Sequence, residues 1–154
     1  MTHLHAQMAV KCPLTETEAR LGAYFESLRS EDGVARMRLR VPMTGSSSAL
    51  GLSLDREVRV EAARGRDEEN LNDVTRIRWS PEGKAIFPKF EGKLVVWAGD
   101  DSASSRIEID GDYLPPFGAA GQVFDEAIGH RIAESTAREF LKDIKRAIEM
   151  PFPR

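Results

Sequence analysis

The sequence predicts an α+β fold: a curved antiparallel β-sheet of about six to seven strands around a long C-terminal α-helix, with a short helix after the first strand. Three observations predict it. An alternating segment opens the chain, further alternating segments separated by short turns fill its middle, and the last third changes to a helical period.

In the opening segment Leu4, Ala6, Met8 and Val10 fall on one face, with His3, His5 and Gln7 on the other. That is the pattern of a half-buried strand. Pro13 stops it, and Thr15-Glu16-Thr17-Glu18 has the form of a capping box, with Thr15 as N-cap and Glu18 at N3. A helix of about three turns is expected next, with Ala19, Gly22, Phe25 and Leu28 on its apolar stripe. Ser30-Glu31-Asp32-Gly33 ends it.

In the middle, Ala35, Met37, Leu39 and Val41 alternate with Arg36, Arg38 and Arg40. Val58, Val60 and Ala62 alternate with Glu57, Arg59 and Glu61, and Ile77 and Trp79 with Arg76 and Arg78. Phe90, Leu94 and Val96 alternate with Glu91, Lys93 and Val95, and Ile107 and Ile109 with Arg106, Glu108 and Asp110. Turn residues divide them at Met43–Ser48, Arg64–Asp67, Ser80–Gly83 and Gly99–Ser102. Short links between successive strands make hairpins, hence an antiparallel meander with one apolar and one charged face.

Beyond Pro115-Pro116-Phe117-Gly118 the apolar residues Val123, Phe124, Ala127, Ile128, Ile132, Ala133, Thr136, Phe140, Leu141, Ile144 and Ile148 make a helical stripe. Its span of roughly 30 residues corresponds to about 45 Å. Pro151 and Pro153 close it. A sheet with one apolar face needs a cover, and this helix is the element long enough to supply it.

Composition sets bounds on function. The 154 residues are enough to bury a core as one domain spanning 1–154, and 41% hydrophobic with 31% charged residues is an ordinary globular balance. A net charge of −3 gives no general attraction to nucleic acid. The single cysteine, Cys12, excludes an intramolecular disulfide and a thiolate zinc cluster. No apolar run approaches the ~20 residues needed to span a bilayer, and no signal peptide is recognisable, so the cytoplasm is the expected location.

The residues Ile107-Glu108-Ile109-Asp110-Gly111-Asp112-Tyr113, then Pro115-Pro116-Phe117-Gly118, Gly121, Phe124-Asp125 and the helix through Arg131, Thr136, Phe140 and Leu141 carry a resemblance. They resemble the START-like or SRPBCC (polyketide cyclase/dehydrase-like, helix-grip) superfamily, in its uncharacterised bacterial branch, where a strand ends in a Tyr-x-Pro-Pro-x-Gly turn before the gripping helix. The element order matches over the whole chain and the motif over about residues 107 to 141. The resemblance implies a cavity between sheet and long helix that accepts a small apolar molecule. It does not choose among transfer proteins, enzymes and binding modules, which share this fold.

The chemical motifs are sparse. His3 and His5 share one strand face, but no third ligand lies near them in sequence, so solvated surface histidines are the preferred account over a metal pair. His130, Glu134 and Arg138 form a row off the apolar stripe, read as an exposed charge ladder. Ser46-Ser47-Ser48 lacks a neighbouring base and reads as a loop. Cys12 stands beside Pro13 at a helix start, where a thiol pKa can fall, but a structural role fits better. The Arg36, Arg38, Arg40 stripe is expected to be neutralised by Glu57 and Glu61 across strands.

Two inward polar candidates remain. Arg56 falls in phase with Leu52, Leu54, Val58 and Val60 if their strand is continuous, and out of it if a bulge near Asp55 resets the phase. Tyr113 is in phase with Ile107 and Ile109, and its hydroxyl can reach either a ligand or a carbonyl of the Pro-Pro turn. With Trp79, Phe117, Phe124 and Ile128 they form the expected cavity lining, with no catalytic residue, metal or cofactor. The expected partner is a small apolar or amphipathic ligand, with no nucleic acid and no stable membrane insertion; a homodimer is compatible with this. A cyclase/dehydratase-like enzyme and an interaction protein with a filled core are the alternatives. The lack of an inward base near neutrality favours binding over catalysis.

Overall fold

The computed structural model describes residues 2–42, 53–69, 72–81, 89–114 and 126–150. Six strands, β1 (Thr2–Val10), β2 (Ala35–Pro42), β3 (Ser53–Arg66), β4 (Asp73–Pro81), β5 (Lys89–Ala98) and β6 (Ser105–Leu114), join in one sheet. The order is β1-β6-β5-β4-β3-β2, and every neighbouring pair is antiparallel. Helix α1 (Leu14–Ser27) follows β1, and helix α2 (Glu126–Glu149) closes the described chain.

β2 to β6 form the expected meander, and β1 closes against β6 in the register Thr2↔Tyr113 to Val10↔Ser105. Helix α2 packs on both β1 and β2, the two outermost strands. Six flat strands would hold their edges about 24 Å apart, whereas a helix with its side chains is about 10–12 Å across. The sheet therefore curls, and its apolar face becomes concave. Leu4, Leu39, Val58, Ile77, Leu94, Val96, Ile107 and Ile109 are buried there against Ala137, Phe140, Leu141 and Ile144 of α2.

The curl needs glycine where strands press closest. Gly92 of β5 and Gly111 of β6 are direct cross-strand partners. A Cβ at Gly111 would stand 2.6 Å from the Gly92 Cα and 2.8 Å from Cζ of Phe90. The Phe90 ring thus takes the space that two missing side chains leave.

Several local expectations are corrected. The capping box does not form: the helix starts at Leu14 with Pro13 as N-cap, no side chain caps it, and the Thr17 amide bonds the Pro13 carbonyl at 2.8 Å. Proline has a preset φ and places the first turn itself, so Thr15 lies inside the helix. The buried stripe of α1 is Thr17, Leu21 and Phe25, with Ala19 exposed. Thr17 is buried because its hydroxyl is shared with Ser105 at 2.7 Å and the Cys12 carbonyl at 3.2 Å.

Arg64, Gly65 and Arg66 belong to β3, and the turn falls at 67–72, closed by the Asp67 amide on the Asn72 carbonyl. Glu61 lies opposite Arg78 and Arg36 opposite Arg59, so only Glu57 of the two expected acids faces the arginine stripe, at Arg38. Arg36 instead bonds Asp32 at 3.0 Å. The described α2 has 24 residues, with Ala137 fully buried on the stripe beside the expected positions. The turn expected at Met43–Ser48, and the segment from Pro115 to Asp125, lie outside the described residues.

The C-terminal end of α2 is fastened to the β1–α1 junction. Glu149 Oε2 accepts from the Lys11 amide and from Lys145 Nζ, each at 2.7 Å. Lys145 also reaches the Ala9 carbonyl at 3.0 Å, and Arg20 donates to the Ile148 carbonyl at 2.7 Å. Partial burial works against ionisation of Glu149, but the Lys11 and Lys145 bonds outweigh it and hold the carboxyl below its ordinary range.

Two outcomes are expected. Gly111→Ala sets a methyl against backbone and should cost about 1–3 kcal/mol, read from urea unfolding. Glu149 has a folded-state pKa below its unfolded one, so its contribution is present above the unfolded value of about 4.3 and is lost as pH falls through the folded value. Glu149→Gln should therefore unfold at lower urea than wild type at pH 7, with the gap closing as pH is lowered through that window.

Candidate functional site

The concave face carries a row of large aromatics across three adjacent strands. Trp79 of β4 is the cross-strand partner of Phe90 on β5, and Phe90 is the partner of Tyr113 on β6. All three are at most 3% exposed. Trp79 and Phe90 stack with centroids 4.4 Å apart and planes 23° apart, and Phe140 of α2 lies 5.2 Å from Trp79. Alternation puts these rings on one face, while register alone puts them in one row.

The row stands near one end of the sheet. There β2 ends and β3 begins, β4 ends and β5 begins, and β6 leaves toward α2. Helix α1 and the 67–72 turn are at the opposite end. Val60, the β3 partner of Trp79, and Ile77 on its own strand keep the surroundings of the row apolar.

Four buried polar atoms have no hydrogen-bond partner among the described residues: Asp73 Oδ1, Thr75 Oγ1, Trp79 Nε1 and Trp97 Nε1. Asp73, Thr75 and Trp79 share the inward phase of β4, whereas Trp97 alternates with the inward Val96 on β5. The other carboxylate oxygen of Asp73 is held by Arg64, which also donates to the Glu18 carbonyl of α1 at 2.9 Å. The Arg64 guanidinium lies where a Gly22 side chain would be, so a glycine on α1 makes room for it. Two hollows flank this arginine. One of about 490 Å³ is lined by Thr15, Glu18, Arg66 and Asp73 among others, and one of about 350 Å³ by Phe25, Arg29, Val34 and Ala62 among others.

The sequence candidates separate. Trp79 and Tyr113 are brought into the same row. Arg56 is in a strand whose ladder runs unbroken from Ser53↔Pro42 to Val60↔Ala35, so the bulge does not occur and Arg56 keeps the phase of Val58, in register with Leu39. The side chains of Arg56 and Ile128 lie outside the described set, and so do Phe117 and Phe124. Phe90, Phe140 and Asp73 were not expected in the site. Extending the Ile77, Trp79 alternation two steps back reaches Thr75 and Asp73, but the Phe90–Trp79 pairing needs the β4–β5 register.

The remaining motifs are peripheral. His3 pairs with Asp110 at 2.7 Å and His5 with Glu108 at 3.2 Å on the outer face. Arg138 meets Glu134 at 3.3 Å. Cys12 is buried, with Arg20 donating toward its sulfur at 3.6 Å. The phenol of Tyr24 is pushed up to about 12 by burial and by Asp143, so it stays protonated near neutrality. Among the described residues no cluster of three or more His, Cys, Asp or Glu could hold a metal ion, and no helix is long and apolar enough to cross a membrane.

No protein-family model and no curated protein matches the chain. Solved structures do. The protein TTHA0849 of Thermus thermophilus superposes with a TM-score of 0.52 at 16% identity, over 96% of this chain and 97% of that one. The ZhuI aromatase/cyclase of a Streptomyces species superposes at 0.52 and 13% identity, over 99% of both chains. Human STARD10 superposes at 0.51 and 11% identity, over 94% of this chain and 62% of that one. The chain has the START-like, or SRPBCC, helix-grip fold.

Truncating the ring above the row tests its packing. Phe140→Ala should cost about 3–5 kcal/mol. In a Trp97→Phe background it should also move the Trp79 emission to longer wavelength; unchanged emission would show that Phe140 does not shield the indole.

Proposed function

We propose that the chain binds a small apolar or amphipathic molecule between the concave sheet face and α2, without catalysing a reaction on it. Arg56, Trp79, Tyr113, Phe117, Phe124 and Ile128 would line the site, with Phe90 completing its aromatic floor. The observation that carries this reading is the Trp79–Phe90–Tyr113 row, gathered on the concave face at the end from which three inter-element connections leave. Flat apolar rings on a curved surface favour an apolar guest, at ~25 cal/mol per Å² removed from water.

The fold shared with an aromatase/cyclase also admits an enzyme. Ring closure or dehydration needs a base beside the substrate. Asp73, the buried carboxylate among the described residues, is paired with Arg64 at the α1 end, away from the aromatic row. That supports binding over catalysis. A second reading, a filled core that acts through its outer surface, is favoured by one observation: Trp79, Phe90 and Phe140 pack closely on one another in the interior.

Native mass spectrometry of freshly purified protein, followed by organic extraction, separates these readings. The binding module is expected to carry a discrete apolar compound, or to gain thermal stability with members of a panel of fatty acids, sterols and aromatic polyketides. An empty chain with no shift across the panel would support the filled core. Turnover of a panel compound into a cyclised or dehydrated product would overturn the non-catalytic reading.

A further inference from the structure

A buried indole N–H ordinarily finds an acceptor, because an unpaired donor in an apolar interior loses its hydrogen bond to water and regains nothing. Trp79 is 2% exposed, and its Nε1 has no partner among the described residues. Among the described residues, the apolar side chains that flank it offer no acceptor. Its cross-strand partners are Val60 and Phe90, Ile77 shares its strand face, and Phe140 lies over it.

Resting on the binding reading above, we infer that the ligand carries a neutral carbonyl oxygen that accepts the hydrogen bond of Trp79 Nε1. The donor is set in the aromatic row, where a flat apolar body would lie against the stacked rings. A carbonyl suits this position better than two other oxygen groups. A hydroxyl would accept the indole proton but leave its own O–H facing Val60, Ile77 and Phe140, none of which accepts. A carboxylate would bring a charge in among Val60, Ile77, Phe90 and Phe140, while Arg56, the inward cation of the proposed lining, stands four residues from Val60 along β3, about 13 Å away.

The other unpartnered atoms do not compete for the same group. Asp73 already holds Arg64 through its second oxygen. Thr75 is four residues along the strand from Trp79, about 13 Å away. Trp97 has the opposite phase to the inward residues of β5.

The test is a double comparison, with fluorenone and fluorene as flat probes that differ in one carbonyl, and wild type against Trp79→Phe, which keeps an apolar ring and removes the donor. Affinities are read by equilibrium dialysis. The preference for fluorenone over fluorene should fall about tenfold on substitution, which is about 1.4 kcal/mol and the size of one hydrogen bond. In the unmodified protein the Trp79 indole N–H resonance should move downfield with fluorenone and stay put with fluorene, a readout that does not need the variant to fold. Binding of both probes with the same preference in wild type and variant, and no resonance shift, would overturn the carbonyl assignment and leave the binding reading standing. Binding of fluorenone alone would support the assignment, whereas failure of both probes to bind wild type would overturn the binding reading, and the carbonyl assignment with it.

Discussion

Contact of one helix with both edge strands of a six-stranded sheet is the constraint on which the rest of the molecule depends. Such a sheet cannot stay flat, since its edges would lie about twice as far apart as a helix is wide. Curling gives the sheet an inside and an outside, and the alternation of each strand then sorts apolar residues from charged ones. It also protects the edges. β1 and β2 would otherwise offer open backbone to another chain, but each packs along α2. The helix is held in place by its apolar stripe and, at its C-terminal end, by the Glu149, Lys145 and Arg20 bonds to the β1–α1 junction.

Curvature also governs which side chains are large and which are absent. Gly92 and Gly111 face each other where a Cβ would meet backbone, and Phe90 lays its ring across them. Trp79 stacks on that ring, and Phe140 of α2 meets the stack from above. Register sets the aromatic row, and the two facing glycines leave the space that its Phe90 ring fills. The row joins core packing to the proposed binding surface, because the same rings serve both.

The outer face and the α1 end answer to electrostatics. On the outside, Arg78 meets Glu61 and Glu91, His3 meets Asp110, and His5 meets Glu108. Such exposed pairs contribute little each, and their main effect is to keep the convex surface wet. At the α1 end Arg64 ties β3, β4 and α1 together through Asp73 and the Glu18 carbonyl. A buried carboxylate there would be costly without its arginine, and Gly22 leaves the room that the arginine needs.

The α+β class, the bounds of β1, β2 and β5 to within two residues, and the covering role of the last helix were legible in the sequence, because side-chain alternation and helical period are local properties. Trp79 and Tyr113 were legible as inward residues for the same reason. The start of α1 was not: the capping-box pattern points to Thr15, whereas the first turn closes earlier, with the Thr17 amide on the Pro13 carbonyl. Nor were Arg64 to Arg66 legible as strand, because an Arg-Gly-Arg segment carries turn composition and becomes strand only through pairing with Asp73 to Thr75. By itself the sequence determined which residues could face inward. Only the tertiary structure decided which of them stand side by side, because register and curvature arise from contacts between strands that are distant in the chain.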